Sequence, residues 1–169
     1  VTHFLGVPAI FNALRDHPKN KDADFSRLKV CLAGAETVPE ALVNWWYERG
    51  VVIQEGYGMT ENTASCCVLG YNDVPAMVGS AGKPLKHTQL KIMKEDGTEA
   101  ASGESGEIWT RGPIVTPGYW RRPDADAETF VDGWLRTGDI GSRDGEGFVY
   151  VEDRLKDMYI SGGENVYPA

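Results

Sequence analysis

The segment Glu55-Gly56-Tyr57-Gly58-Met59-Thr60-Glu61 carries the most suggestive run of side chains in the sequence. Its two glycines let the backbone come close to a ligand. Tyr57 offers an aromatic face to a purine, Thr60 a hydroxyl to a phosphate oxygen, and Glu61 a hard oxygen ligand to Mg²⁺. A tight turn followed by a helix capped by Thr60 or Asn62 accounts for the same letters equally well. Further on, Thr137-Gly138-Asp139 sets a carboxylate beside a glycine. That arrangement grips both hydroxyls of a ribose in many proteins, but taken alone it is better read as a turn. Arg154 and Lys156, flanked by Asp153 and Asp157, suit a solvated ion-pair surface or a phosphate-facing joint, and without context the surface is the better reading. Ser161-Gly162-Gly163 supplies either flexibility or a backbone anion nest. No Cys-His or Ser-His-Asp arrangement for covalent catalysis can be argued.

The elements that must position these residues fall into two textures. Val1 to Val7 reads as a buried strand, Pro8 as the first turn of a helix running to about Asp16, and Leu28 to Ala33 as a second strand. Pro39 opens another helix, with Ala41, Leu42, Trp45 and Trp46 as an apolar stripe that ends at Gly50, and Val51 to Gln54 follows as a third strand. This alternation predicts a parallel sheet with crossover helices, in which ligands sit beyond the carboxyl ends of the strands. Gly34 and Gly56 fall at such ends. From about Gly79 the chain turns to short strands, Gln89 to Met93, Glu107 to Arg111 and Phe148 to Val151, with turns at Asp96-Gly97 and Asp144-Gly145. A short helix from Pro123 to about Phe130 interrupts this small antiparallel barrel or sheet. Trp45 and Trp46 read as core, and Cys66 and Cys67 as small apolar filler. The run of small residues from Ala64 to Cys67 also leaves room for an acyl group.

Composition narrows the partners. With 17 Lys and Arg against 25 Asp and Glu, the net charge of −8 repels nucleic acid and anionic membranes. A local cradle of backbone N–H groups can still hold a nucleotide. Three cysteines, Cys31, Cys66 and Cys67, without a C-x-x-C spacing suggest neither a disulfide framework nor a zinc site, and a reducing cytoplasm fits best. No apolar run reaches the roughly 20 residues that span a bilayer, so no integral membrane segment is expected. His3, His17 and His87 are scattered without metal-ligand spacing.

Taken together and in order, the motifs resemble the adenylate-forming superfamily, of the acyl-CoA synthetase type. The matching elements are Gly34-Ala35-Glu36, Tyr57-Gly58-Met59-Thr60-Glu61, Gly106-Glu107-Ile108-Trp109-Thr110-Arg111-Gly112-Pro113, Gly118-Tyr119-Trp120, Trp134-Leu135-Arg136-Thr137-Gly138-Asp139, and Asp153-Arg154-Leu155-Lys156-Asp157 with Ser161-Gly162-Gly163-Glu164-Asn165. They cover essentially the whole chain. The resemblance implies that ATP and a carboxylic acid give acyl-AMP and pyrophosphate, after which CoA displaces AMP to make a thioester. It implies that Gly34, Ala35 and Glu36 form one wall of an adenine pocket and Tyr57, followed by Gly58, the other. Thr60 would contact phosphate, Glu61 would bind Mg²⁺, Asp139 would hold the ribose hydroxyls, and Arg154 would lie near the ribose and phosphate. Lys156 matches a hinge about which a lid rotates, and the segment containing Gly162 and Gly163 would approach CoA.

On this resemblance residues 1–77 are expected to close an α/β AMP-binding subdomain, 78–152 to form an antiparallel β subdomain, and 153–169 to begin a hinge and lid. The family's Ser/Thr/Gly-rich pyrophosphate loop is expected upstream of Val1 and the lid's catalytic lysine downstream of Ala169, which makes the chain an internal piece of a longer enzyme. Its ends look most like those of fatty-acyl or general acyl-CoA ligases, favouring a medium- or long-chain acid. Two other readings stand beside this one: an adenylation domain loading an amino or aryl acid onto a carrier protein, and a non-catalytic nucleotide-binding relative. Oligomeric state is not legible in the sequence.

Overall fold

The computed structural model describes residues 1–154, 159–161 and 164–166. Its first half is the expected alternation. Strands β1 (His3–Gly6), β2 (Val30–Gly34) and β3 (Ile53–Tyr57) are parallel neighbours, with helices α1 (Pro8–Asp16) and α2 (Glu40–Tyr47) in the crossovers. Two short antiparallel strands, β4 (Cys67–Val68) and β5 (Lys83–Pro84), extend the sheet in the order β1-β2-β3-β4-β5. Pro8 stands in the first turn of α1, where its missing N–H costs nothing.

The apolar stripes of both helices meet over this sheet. Phe11 of α1 packs edge-on to Trp46 of α2 at 6.3 Å between ring centroids, and Phe25 meets Trp46 at 5.2 Å. Leu42, Val43 and Trp46 are the buried residues of α2. Each such side chain contributes roughly 1.5–3 kcal/mol. The predicted stripe is thus rotated by a fraction of a turn: Ala41 is exposed, Val43 is inside, and Trp45 is half-buried under the Arg49 guanidinium, 3.5 Å from the ring centroid. The strand predicted as buried, β1, is an edge strand with Leu5 72% exposed, because its only ladder neighbour among the described residues is β2.

The second half is an antiparallel, half-barrel-like sheet. It contains β6 (Gln89–Met93), β7 (Gly106–Arg111), β8 (Phe130–Val131), β9 (Trp134–Arg143) and β10 (Val149–Arg154), in the order β10-β9-β7-β6 with β8 against β9. Helix α3 (Pro123–Thr129) precedes β8. Strands β11 (Tyr159–Ser161) and β12 (Glu164–Val166) pair antiparallel with each other.

One expectation changes here. Thr137-Gly138-Asp139, predicted near a strand end, lies in the middle of the ten-residue β9. The register steps from Glu107↔Ile140 to Trp109↔Arg136, so residues 137–139 bulge opposite Ile108, with Gly138 at φ 73°. A glycine and an aspartate look like a turn in the sequence, but here they bend a continuous strand. β10 continues through Asp153 and Arg154, for which the sequence left a surface and a joint both open.

The two sheets are stitched along residues 80–82. Ala81 N–H donates to the Val149 carbonyl at 2.8 Å, and Val149 N–H to the Gly82 carbonyl at 2.9 Å. Consecutive residues then serve different cores, Phe148 the helix-covered one and Val149 the one beneath the second sheet.

Candidate functional site

Strands β2 and β3 end side by side, Gly34 opposite Gly56. A Cβ on Gly34 would sit 2.7 Å from the Gly56 carbonyl oxygen, so the pair approaches as only glycine allows. The chain leaves β2 through Ala35 at φ 72°. A cleft of about 140 Å³ opens there, walled by Ala35, Glu36, Gly56, Tyr57 and Gly58 from the first half and by Asp139 and Val151 from the second. The structure therefore brings together Ala35, Glu36, Tyr57, Gly58 and Asp139, with Gly34 beneath them.

Asp139 is 1% exposed, and its Oδ2 accepts the Tyr57 hydroxyl proton at 2.7 Å. Burial, then the Asp139 charge, raises the Tyr57 phenol well above its usual range, so it remains a donor. The β9 bulge aims Asp139 inward and is itself held from below. Glu107 accepts from the Gly138 N–H at 3.2 Å, from Trp109 Nε1 at 2.8 Å and from Arg136 Nε at 3.1 Å. The Thr137 hydroxyl donates to the Ile108 carbonyl at 2.7 Å and accepts the Asp139 N–H at 3.1 Å. Glu107 and Thr137 carried no role of their own in the sequence reading; their only signal was membership of motifs flanking Asp139.

Glu55 is another residue the sequence undervalued. It lines the cleft and takes a hydrogen bond from the Val38 N–H, while its Oε2 is buried without a partner. Burial pushes this carboxyl up to about 7, against the opposing pull of that N–H.

Beyond Tyr57 the chain folds back on itself. A Cβ on Gly58 would lie 2.4 Å from the Ala64 carbonyl oxygen, and the Cys66 N–H returns to the Tyr57 carbonyl at 2.8 Å. Thr60–Asn62 forms a single 3-10 turn, capped by Asn62, whose Oδ1 accepts the Met59 N–H at 2.8 Å. Thr60 is exposed and Glu61 half-buried, and both lie outside the cleft lining. Residues 114–119 grip this turn. Thr116 N–H donates to the Glu61 carbonyl at 2.8 Å, the Thr63 hydroxyl to the Ile114 carbonyl, and the Tyr119 hydroxyl to Glu61 Oε1 at 2.7 Å. Burial, and then this bond, pushes the Tyr119 phenol up to about 12.

Cys66 and Cys67 are wholly buried in the core beneath the second sheet, as expected of small apolar filler. Arg154 ends β10 directly opposite Asp139 in the ladder. Lys156, Gly162 and Gly163 lie outside the described residues. No group of three His, Cys, Asp or Glu side chains suited to hold a metal occurs among the described residues, and none of their helices is long and apolar enough to cross a membrane.

A strand-end cleft that joins a parallel sheet to an antiparallel one through a tyrosine and a buried aspartate defines a two-sheet α/β class of protein. Residues 1–120 match the family described as AMP-binding enzyme, and the chain belongs to that family. A feruloyl-CoA synthase from Amycolatopsis is 44% identical over 169 residues, all of this chain and 34% of the relative. A long-chain-fatty-acid–CoA ligase from Mycobacterium tuberculosis is 40% identical over 163 residues, 96% of this chain and 32% of the relative. Among solved structures, an O-succinylbenzoate coenzyme A synthetase from Bacillus subtilis in complex with AMP superposes with a TM-score of 0.85 at 37% identity, covering 99% of this chain and 34% of that one. The chain thus spans about a third of the length of the curated relatives it matches.

Proposed function

We propose that the protein to which this chain belongs is an acid–CoA ligase working through an acyl-adenylate. A carboxylate oxygen attacks the α-phosphorus of ATP and pyrophosphate leaves; the CoA sulfur then attacks the acyl carbon and AMP leaves. The observation that carries the reading is the cleft in which Tyr57 and Asp139, from different sheets, meet at 2.7 Å beside the 35–36 wall. In this reading a planar base would lie between that wall and the Tyr57 ring, with the ribose hydroxyls toward Asp139. The chemistry asks mainly for two anions to be held together while charge on phosphate is neutralised, which is positioning and electrostatics.

In this reading ATP arrives with magnesium. Magnesium keeps several waters and takes one or two carboxylates together with phosphate oxygens. The residues present fit such a donor set, since Glu61 supplies one carboxylate already oriented through its Oε1. When bound, the ion would supply charge neutralisation on the phosphates; Glu61 would hold it, and the Thr60 hydroxyl would donate to a phosphate oxygen. Arg154 near the ribose, Lys156 as the hinge, and Gly162 and Gly163 toward CoA keep the roles the resemblance implies. The three cysteines are free and buried, which suits a reducing compartment, and we assign the enzyme to the cytoplasm.

The finer reading takes the acid to be a medium- or long-chain fatty acid. The feruloyl-CoA synthase, at 44% identity against 40% for the fatty-acid ligase, favours an aryl acid as the second reading. The test is ATP-dependent pyrophosphate release by the full-length protein across aliphatic, aryl and amino acids, with and without CoA. Release with a thioester product supports the ligase. Release with amino acids and no CoA thioester moves the reading to carrier-protein loading, and ATP binding without release under any condition moves it to a non-catalytic relative. The 169-residue chain by itself is expected to form no acyl-AMP.

A further inference from the structure

We propose that Tyr119 is the positioning residue of Glu61, and that the segment 114–119 together with α3 forms the arm that holds the metal-facing carboxylate in place. The inference rests on the reading of Glu61 as the magnesium carboxylate.

Glu61 sits on a one-turn 3-10 segment, which by itself fixes no side-chain rotamer over several bonds. Its backbone is tied by Thr116, and its side chain by the Tyr119 hydroxyl at 2.7 Å, a contact spanning 58 positions of sequence. Tyr119 is seated in turn. Its N–H donates to Asp126 Oδ1 of α3 at 2.7 Å, its ring lies against Phe130 with centroids 5.8 Å apart, and Gly118 at φ 152° leaves no room for a side chain beneath Asp126. The hydrogen bonds of this relay are 2.7 to 2.8 Å long. With Oε1 engaged by the Tyr119 hydroxyl, Oε2 is the oxygen left to face a cation. A carboxylate pre-oriented in this way binds without first losing rotamer freedom, which is how outer partners tune metal ligands.

The test uses the full-length protein with Tyr119→Phe, Glu61→Gln and the double variant, titrating Mn²⁺ in saturating ATP by electron paramagnetic resonance and, separately, ATP without metal. Tyr119→Phe keeps the ring on Phe130, so packing is preserved. We expect it to weaken Mn²⁺ binding roughly 10-fold or more, the usual effect of losing an outer partner of a ligand, with metal-free ATP binding unchanged. In the Glu61→Gln background the same change is expected to add nothing. Normal Mn²⁺ affinity in Tyr119→Phe, with Glu61→Gln impaired, overturns the positioning role and leaves the function standing. Full additivity in the double variant also overturns it. Normal Mn²⁺ affinity in Glu61→Gln overturns the metal role of Glu61 itself, and the inference with it.

Discussion

The Tyr57 hydroxyl and Asp139 Oδ2, 82 positions apart in sequence, are 2.7 Å apart in the structure and join the end of β3 to the bulge of β9. This bond ties the two walls of the cleft together, alongside the backbone bonds that join the sheets at residues 80–82.

Removing that hydroxyl leaves a buried carboxylate short of a donor. Tyr57→Phe is expected to lower stability by about 2 kcal/mol, the scale of a hydrogen bond to a charged group, and to weaken AMP binding although the aromatic ring remains. Urea unfolding and AMP titration of the variant check both effects.

Glu55 makes stability fall with pH. Its folded-state value of about 7 lies above its ordinary 4.5, so between these values the folded protein holds a proton that the unfolded chain has released. Stabilisation from this group is complete below pH 4.5 and is lost as pH rises through 7. The loss integrates to roughly 3 kcal/mol. Urea unfolding of wild type and Glu55→Gln in parallel should show wild type losing stability relative to the variant across that window; a constant difference would contradict the assignment.

Glu107 touches no cleft surface, yet three donors converge on it, the Gly138 N–H among them. Glu107→Ala is expected to cost about 2 kcal/mol of stability and to reduce AMP affinity by releasing the bulge under Asp139. Arg136→Ala is expected to cost less than about 1 kcal/mol, since its side chain is 43% exposed and screened by solvent. Comparing AMP affinities of the two variants separates support of the bulge from loss of a surface ion pair.

Gly58→Ala places a methyl group 2.4 Å from the Ala64 carbonyl oxygen, which is backbone and cannot swing aside. The loop after Tyr57 must open, at a cost of about 1–3 kcal/mol as for other overpacked sites. A nucleotide affinity reduced at least as much as that of Tyr57→Phe is the expected result, read by AMP titration.

The local content of the sequence determined the alternation that builds the first sheet, the helix starts at Pro8 and near Pro39, the turns at Asp96 and Asp144, and the residue types able to meet a nucleotide, because each depends on backbone preference or periodicity over a few neighbours. Tertiary structure alone decided the rest. It made Thr137-Gly138-Asp139 a bulge rather than a turn, since only pairing with β7 shows that β9 continues past Gly138. It turned Glu107, Thr137 and Tyr119 from motif letters into supports of Asp139 and Glu61, and it raised the Glu55 carboxyl toward neutrality. Burial, and contacts across 29 to 82 positions, set these properties, and neither is written in the spacing of adjacent residues.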